Sequence, residues 1–265
     1  MDAPPGRGCS RKRRRIPPPS NGMSPRGVMV RGLIFTLFFH AAAGVFGSQE
    51  GEAFAARRKR MVETQIAARG VRDPLVLRAM SEVPRHLFVP AGSADEAYDD
   101  TPLPIGEGQT ISQPYIVALM TERLALPKDA KVLEVGTGSG YQAAVLSRLA
   151  AEVFTVEINA ELARQAAATL ERLGAKNVRV RAGDGFFGWP EAAPFDGVIV
   201  TAAATEVPAA LFAQLKEGGR LVVPLGDPRS YQVLTLVTKR RGKPVSKAIL
   251  DVRFVPMTGA IQKKK

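Results

Sequence analysis

Glycine and acidic residues in the middle of the sequence have the spacing expected of a ligand-binding turn. The apolar run Val132–Val135 leads into a glycine-rich stretch, Gly136–Gly140, and then into a helix-compatible segment. Glycine lets the backbone turn tightly and approach a ligand closely, and such strand–turn–helix units bind nucleotides at the carboxyl edge of parallel sheets. Glu134 precedes the turn, Glu157 ends the next predicted strand, and Asp184 follows the third. The candidate binding residues are Glu134, Gly136, Thr137, Gly138, Gly140, Glu157, Asp184 and Gly185.

The chemistry of the three acids indicates the ligand that they suit. The glycine spacing is Gly-x-Gly-x-Gly, whereas dinucleotide-binding turns have Gly-x-Gly-x-x-Gly. Glu134 would repel a phosphate but suit a cationic amine, Glu157 could accept both ribose hydroxyls, and Asp184 could meet an adenine amino group. Each acid alone is equally well explained as a solvated loop carboxylate. Together with the turn, they favour a positively charged adenosyl ligand without phosphates, namely S-adenosyl-L-methionine.

Few residues in the sequence could perform other common chemistries. Cys9 is the one cysteine, and His40 and His86 are the two histidines. This composition excludes an internal disulfide framework and a cysteine-based zinc site. It also argues against a histidine-built metal centre or a Ser-His-Asp triad. We therefore predict no metal, and we interpret His86 as structural rather than catalytic.

The formal net charge of +12 comes mainly from the two ends of the chain. Residues 1–31 carry +7, and the last three lysines add +3, so residues 32–262 are nearly neutral. A nucleic-acid enzyme more often spreads basic residues over its folded domain. The basic runs at 57–60 and 239–241 are better explained as a solvated helix face and a solvated turn. We expect no nucleic-acid partner.

Residues 1–49 are predicted to lie outside the folded domain. Residues 11–19 are rich in arginine and proline, which predicts a disordered basic tail. Residues 28–43 resemble a secretory signal, but the apolar run is too short for a membrane span of about 20 residues. Three interpretations remain open: an export signal, an interfacial anchor, or an extension upstream of a later start at Met23 or Met29. The first two would place the protein outside the cytoplasm or at a membrane.

Hydrophobic periodicity predicts a single α/β domain over residues 50–260, followed by a short basic tail at 261–265. Strands alternate with helices, which is typical of a doubly wound, mostly parallel sheet with right-handed crossovers. The predicted strands are Lys131–Val135, Glu152–Val156, Val178–Arg181, Gly197–Thr201 and Arg220–Pro224, with helices at Tyr141–Leu149, Ala160–Leu173 and Pro208–Leu215. The last apolar segments, Gln232–Thr238 and Ile249–Val255, flank a turn at Arg241–Pro244 and predict an antiparallel edge hairpin.

Residues 50–125 are predicted to form N-terminal helices and a substrate loop, and residues 126–260 the cofactor-binding core. Helices are predicted over 53–69, over Pro74–Met80 with Asp73 as the N-cap, and over Pro114–Leu124. Residues 84–114 are rich in Pro, Gly, Asp and Ser but also contain apolar residues. This composition indicates an ordered binding loop rather than a disordered linker.

Several sequence blocks carry a resemblance to a known family. The Gly136–Gly140 turn with its acids resembles the class I S-adenosylmethionine-dependent methyltransferases. The blocks Val83–Pro90, Tyr98–Gly106 and Gly108–Pro114 are similar to the protein-L-isoaspartate O-methyltransferase family. The likeness covers most of the predicted domain, from about Met61 to Val255.

The resemblance implies a Rossmann-like methyltransferase fold, a monomer, and methyl transfer from S-adenosyl-L-methionine. The implied acceptor is the free carboxylate of L-isoaspartyl, and less well D-aspartyl, residues in damaged proteins and peptides. The resemblance also implies that Ser112 is the active-site hydroxyl and that Thr110, Ile111 and Gln113 form the substrate loop. From the residues alone, Ser112 is better explained as a cap of the helix that begins at Pro114.

Two alternative functions remain open at this point. Another class I methyltransferase would act on RNA or a small molecule, but neither a basic RNA-facing surface nor an Asn/Asp-Pro-Pro-aromatic motif is found. A noncatalytic or NAD-binding Rossmann module is disfavoured by the glycine spacing and by Glu134. Because S-adenosyl-L-methionine is made inside the cell, we expect a cytoplasmic protein.

Overall fold

The computed structural model describes residues 51–263. Helix α1 (51–61) continues into a π-helical turn, Val62–Ile66, and a 3-10 turn, Ala67–Arg69. The segment predicted over 53–69 is therefore helical throughout, with α-helical geometry only in its first part. The predictions for residues 1–49 and for the last two lysines lie outside the described residues.

Helix α2 (Pro74–Glu82) begins at the residue that the sequence predicts. The side chain of Asp73 accepts hydrogen bonds from the backbone amides of Leu75 at 2.8 Å and Val76 at 3.4 Å. These amides have no acceptor within the helix, so the cap stabilises the first turn by about 1 kcal/mol.

The segment 84–114 contains more regular structure than the sequence predicts. Two 3-10 helices, Arg85–Phe88 and Ala91–Glu96, precede an antiparallel hairpin of β1 (Leu103–Gly106) and β2 (Gln109–Ile111). The hairpin turn needs positive φ at Glu107 (52°) and at the glycines on either side. Strands this short show no recognisable alternation, which explains why the pattern missed them. Helix α3 (Pro114–Leu124) follows the hairpin directly.

A seven-stranded sheet forms the centre of the domain. Its parallel part contains β3 (Lys131–Val135), β4 (Glu152–Glu157), β5 (Val178–Ala182), β6 (Phe195–Val200) and β7 (Leu215–Leu225). The strand order is β5-β4-β3-β6-β7, followed by β8 (Gln232–Arg240) and β9 (Lys243–Val252) as antiparallel strands at the edge. The predicted fold class, a mostly parallel doubly wound sheet with an antiparallel C-terminal hairpin, is confirmed.

The edge hairpin differs from its predicted boundaries. Strand β9 begins at Lys243 and ends at Val252, whereas the apolar pattern placed it at Ile249–Val255. Arg241 and Gly242 both have positive φ (52° and 71°), the geometry of a tight two-residue turn, so both strands extend as far as the turn. The first six residues of β9 are exposed. Because this part of the strand is mostly polar, it lacks the apolar pattern from which a strand is predicted.

Helices cover both faces of the sheet. Helices α4 (Tyr141–Leu146) and α5 (Ala160–Arg172) follow β3 and β4, and α6 (Ala209–Ala213) follows β6. Strands β3 and β6 are buried almost throughout because apolar side chains pack on both of their faces. Within residues 51–263, no helix has the length and apolar character needed to cross a membrane.

Candidate active site

A cleft of about 350 Å³, which we call the main cleft, lies at the carboxyl ends of β3 and β4. The strand order reverses beside β3, and doubly wound sheets bind ligands at such switch points. The walls of the main cleft are the glycine turn, the end of β4, the start of β2 and the segment Val255–Thr258.

Glu157 lies on the wall of the main cleft with its carboxylate held in one orientation. Its Oε2 accepts a hydrogen bond from the Gly138 amide at 2.8 Å, and its Oε1 accepts one from the Asn159 amide at 2.9 Å. Asn159 in turn caps α5 through its side chain. The remaining lone pairs of Glu157 can accept hydrogen bonds from ligand hydroxyls in the cleft.

Gly136 brings the turn into contact with the next strand. Its φ is 97°, and a Cβ atom at this position would lie 2.4 Å from Thr201 Oγ1. That hydroxyl instead donates to the Gly136 carbonyl at 2.7 Å. The glycine thus allows a close approach between the ends of β3 and β6 at the floor of the main cleft.

Glu134 is fully buried beside the turn. It lines a small pocket of about 40 Å³, the inner pocket, which adjoins the main cleft and also contains Ser112, Ser139 and Gln142. Neither carboxylate oxygen of Glu134 makes a hydrogen bond of good geometry. Burial raises the pKa of Glu134 to about 8; the Thr155 side chain opposes the rise, and the nearby charge of Glu157 adds to it. A buried acid this poorly paired fits a cationic ligand group.

Asp184 directs its carboxylate into backbone hydrogen bonds. Oδ1 accepts from the Phe186 amide at 2.9 Å, and Oδ2 accepts from the Ala260 amide at 2.7 Å. The second bond connects the end of β5 to the C-terminal segment that forms one wall of the main cleft. Gly185, the next residue, lines that cleft directly.

Two other residues of the predicted set shape the turn. The Thr137 hydroxyl lies 2.6 Å from the Thr155 hydroxyl, a buried contact between β4 and the turn. Gly140 is the N-cap of α4, and a Cβ atom there would come within 3.3 Å of Ala166 and Leu170 in α5. Gly140 therefore permits close packing of the two helices.

The predicted substrate loop separates the main cleft from a second opening. This side cleft, about 390 Å³, is bordered by Arg69, Ser112, Tyr231 and residues 250–255. Thr110 and Thr201 line the main cleft, the inner pocket and the side cleft, and Ser112 lines the last two.

The other two loop residues have different positions. Ile111 is buried and lines the inner pocket. Gln113 borders the side cleft and donates from Nε2 to the Asp100 carbonyl at 2.9 Å, which anchors the loop. Each of the four predicted loop residues thus lines at least one of the three cavities, and Thr110 alone among them lines all three.

His86, which the sequence analysis interprets as structural, lies in an aromatic cluster. Its ring stacks on Phe54 at 4.1 Å between centroids, and Nδ1 lies 2.7 Å from the Tyr98 hydroxyl. Among residues 51–263, no group of three or more His, Cys, Asp and Glu side chains could hold a metal ion.

Sequence reasoning missed four parts of the site. Asn159 follows a predicted strand and Thr201 ends one, so their position at the sheet edge was a usable signal. Gln142 lies in a helix with no distinguishing pattern. The wall Val255–Thr258 reaches the site through a backbone pairing with Ala203, which no local pattern indicates.

The sheet topology, the glycine turn and the buried acids define a class I S-adenosylmethionine-dependent methyltransferase. The family model of Protein-L-isoaspartate(D-aspartate) O-methyltransferase (PCMT) matches residues 56–262. The chain belongs to this family. The predicted methyl transfer to isoaspartyl residues is thereby confirmed, and the NAD-binding alternative is set aside.

Individual relatives agree with this assignment. A protein-L-isoaspartate O-methyltransferase of Opitutus terrae is 59% identical over 201 residues, which are 76% of this chain and 86% of the relative. A solved protein-L-isoaspartate O-methyltransferase is 35% identical with a TM-score of 0.70, and the match covers 77% of this chain and 67% of that one. A Plasmodium falciparum protein, described as a candidate enzyme of this kind and solved with S-adenosyl-L-homocysteine, is 27% identical with a TM-score of 0.67. That match covers 76% of this chain and 98% of the other.

Proposed function

We propose that the main cleft and the inner pocket hold the methyl donor and that the side cleft holds the isoaspartyl acceptor. The evidence for separate donor and acceptor sites that meet is the position of Thr110 and Thr201, which border all three cavities. A methyl group passing from donor to acceptor must cross such a junction. The 390 Å³ of the side cleft is in the range of small-ligand sites, which suits a peptide residue and its neighbours.

The donor-binding roles follow from the contacts of each residue. Glu157, already oriented by two amides, accepts the ribose hydroxyls. The backbone of Gly136 and Gly138 permits close approach, and Thr137 and Gly140 support the turn. Gly185 borders the adenine end of the main cleft, and Asp184 acts there by holding the C-terminal wall. Glu134 attracts the positively charged amino-acid portion of the donor.

The chemistry requires positioning more than proton transfer. When bound, S-adenosyl-L-methionine supplies an electrophilic methyl group on a sulfonium. The acceptor carboxylate has an ordinary pKa near 4, so it is ionised and nucleophilic at neutral pH without a general base. The residues around the junction must hold the acceptor oxygen in line with the methyl group and exclude water.

Ser112 is the residue we assign to orient the acceptor. Its hydroxyl borders both the inner pocket and the side cleft and can donate a hydrogen bond to the acceptor carboxylate. Ser112 makes no capping hydrogen bond to α3, whose N-cap is Gln113 without a side-chain bond. The capping role that the residues alone favoured therefore has no support in the contacts.

The side cleft also suits an anionic acceptor. Arg69 pairs with Asp100 at 2.5 Å and lies over the Tyr115 ring. Arg253 has no ion-pair partner in the described part of the chain, although Asp251 borders the same cleft. We propose that L-isoaspartyl residues are the preferred acceptors and D-aspartyl residues weaker ones.

The test is a methyl-transfer assay on matched isoaspartyl and aspartyl peptides with the wild type, Ser112→Ala and, as a matched control, the exposed Ser246→Ala. We expect transfer to the isoaspartyl peptide only. In Ser112→Ala, kcat/KM should fall roughly 10- to 100-fold, the effect of one hydrogen bond to a charged group. Affinity for S-adenosyl-L-homocysteine should stay unchanged. Full kcat/KM in Ser112→Ala would refute the assignment, and equal methylation of both peptides would refute the acceptor.

We also propose a cytoplasmic monomer with one methyltransferase domain over residues 50–260 and no nucleic-acid partner. The intracellular origin of the donor and the near-neutral charge of residues 32–262 support this proposal. A shortened form found outside the cytoplasm by cell fractionation would refute the location. Light scattering of the pure protein would test the monomer.

A further inference from the structure

Arg85 is a fully buried arginine for which the proposed function gives no role. It begins the 3-10 helix Arg85–Phe88 and borders none of the three cavities. Burial lowers the pKa of Arg85 to about 10, so the side chain is still charged at neutral pH. Taking a charge out of water is unfavourable unless its hydrogen bonds compensate, so the contacts of the guanidinium indicate what it does.

The guanidinium of Arg85 holds a short segment, residues 97–101, at both ends. Nε donates to the Ala97 carbonyl at 2.7 Å, and Nη2 donates to the Thr101 carbonyl at 3.4 Å. The segment belongs to no helix or strand, so its carbonyls depend on other groups for their hydrogen bonds. Arg85 therefore fixes the position of a stretch of chain that regular structure does not hold.

This segment in turn holds two residues that border the side cleft. The Asp100 carbonyl accepts a hydrogen bond from Gln113 Nε2 at 2.9 Å, and the Asp100 carboxylate pairs with Arg69 at 2.5 Å. Gln113 directly follows Ser112, the residue assigned to orient the acceptor. A displacement of residues 97–101 would therefore be passed on to the substrate loop and to Arg69 on the side cleft.

Arg85 also contacts the donor side of the site. Its Cζ lies 4.9 Å from the centre of the Tyr141 ring, a cation–π contact. Tyr141 is the first residue of α4, directly after Gly140 of the glycine turn, and it lines the inner pocket. One buried side chain thus joins the start of α4 to the segment that anchors the substrate loop.

We propose that Arg85 is a positioning residue for methyl transfer, which fixes the substrate loop relative to the donor. The inference rests on the proposed function, which places the donor in the main cleft and the inner pocket and the acceptor beside Ser112. In-line transfer depends on the relative position of the two, and a misplacement of about 1 Å can cost roughly 100-fold in rate. The planar guanidinium holds two carbonyls in a fixed fork, whereas the ammonium of a lysine is a single point charge.

The experiment replaces Arg85 by lysine, which keeps the charge and loses the fork. Arg220→Lys is the matched control, because that guanidinium also donates to a backbone carbonyl but borders none of the three cavities. Kinetics with the isoaspartyl peptide give kcat and KM, calorimetry gives the affinity for S-adenosyl-L-homocysteine, and urea unfolding gives the stability.

In Arg85→Lys, kcat should fall roughly 10- to 100-fold, while the KM for the peptide and the affinity for S-adenosyl-L-homocysteine change less than about threefold. Arg220→Lys should leave kcat, KM and this affinity at their wild-type values. A purely structural role would lower the stability of Arg85→Lys but leave the kcat of the folded enzyme unchanged.

A double variant tests whether Arg85 acts through the substrate loop. Gln113→Met cannot donate to the Asp100 carbonyl, so it breaks the same connection at its other end. If Arg85 acts through Gln113, the double variant should have a kcat close to that of the less active single variant. Losses of kcat that multiply would show two independent effects and would overturn the proposal.

Two further results would overturn it: a folded Arg85→Lys with the kcat of the wild type, or one that loses kcat and donor affinity together. Where the lysine variant does not fold, Arg85→Met takes its place with the same expected loss of kcat, because it fills similar space without a buried charge. Failure of the proposed function gives a different result. If the wild type itself methylates no isoaspartyl peptide, the acceptor assignment fails and the role of Arg85 is overturned with it.

Discussion

Glu134 should make the stability of the donor-free protein depend on pH in an unusual direction. Its pKa is about 8 in the folded protein, because burial disfavours the ionised carboxylate, and about 4.5 in the unfolded chain. Between these values the folded state holds one proton more than the unfolded state. Stability contributed by this group is therefore lost as the pH rises, by up to about 1.4 kcal/mol per pH unit. Below about pH 4.5, Glu134 is protonated in both states. Above about pH 8 it is ionised in both states, so the loss of stability is then complete and constant.

The variant Glu134→Gln isolates this contribution because it has nearly the same shape and does not titrate. Urea unfolding of the wild type and the variant, without donor, should be measured from about pH 5 to about pH 9. The difference in free energy of unfolding, variant minus wild type, should increase by roughly 1 kcal/mol per pH unit up to about pH 8 and then level off. Glu171→Gln, which changes an exposed carboxylate on α5, controls for the loss of one acidic residue.

Ligand binding provides an independent check on the same reasoning. A bound ammonium favours the ionised form of Glu134, so saturating S-adenosyl-L-homocysteine should stabilise the wild type at about pH 8 more than it stabilises Glu134→Gln. A free-energy difference that stays constant over the whole pH range would refute the reasoning. So would a difference that decreases as the pH rises, since that is the sign expected of a carboxylate stabilised by folding.

Three further variants test separate parts of the site. Glu157→Ala should weaken S-adenosyl-L-homocysteine binding roughly 10- to 100-fold in calorimetry, and unchanged affinity would contradict the ribose role. Asp184→Ala should speed hydrogen exchange at the Ala260 amide, because that amide loses its acceptor, and should also lower the affinity for the donor. Exchange at the wild-type rate would contradict the proposal that Asp184 holds the C-terminal wall. Gly136→Ala should lower the free energy of unfolding by about 2–4 kcal/mol, because the added Cβ atom would collide with Thr201 Oγ1 at a backbone φ of 97°. A variant that unfolds at the same temperature as the wild type would contradict this prediction.

The parts of the fold that the sequence predicts are those with strong local patterns. Strand β3 is apolar, β4 ends in an acid, and a glycine run separates β3 from α4, so the parallel core and the positions of Glu134 and Glu157 follow from periodicity. The β1–β2 hairpin does not follow, because its strands have four and three residues and its turn places the non-glycine residue Glu107 at positive φ. Its geometry depends on contacts with the rest of the domain.

The C-terminal wall of the main cleft shows a different limit. The sequence pattern predicts that the first residues after β9 belong to a strand. In the structure they instead pair with Ala203: its amide donates to the Val255 carbonyl, and the Met257 amide donates to the Ala203 carbonyl, both at 2.8 Å. Asp184 then fixes the Ala260 amide, which lies 76 residues later in the chain. Pairings of this separation depend on the assembled sheet, and no window of local sequence contains both partners.

The three acids are equivalent in sequence, and hydrogen bonding makes them different. Glu157 accepts from two amides of its own β4 region and of the glycine turn, which leaves an oriented carboxylate at the cleft wall. Asp184 uses both oxygens on backbone amides, so its influence on a ligand passes through the segment that it holds. Glu134 is fully buried, and neither of its oxygens makes a hydrogen bond of good geometry, so burial controls its pKa. A buried acid of this kind destabilises the donor-free protein when it is ionised, and it contributes favourably only when a cation binds. The pH dependence of the donor-free protein and the preference for an ammonium-bearing ligand are therefore two consequences of the same buried carboxyl group.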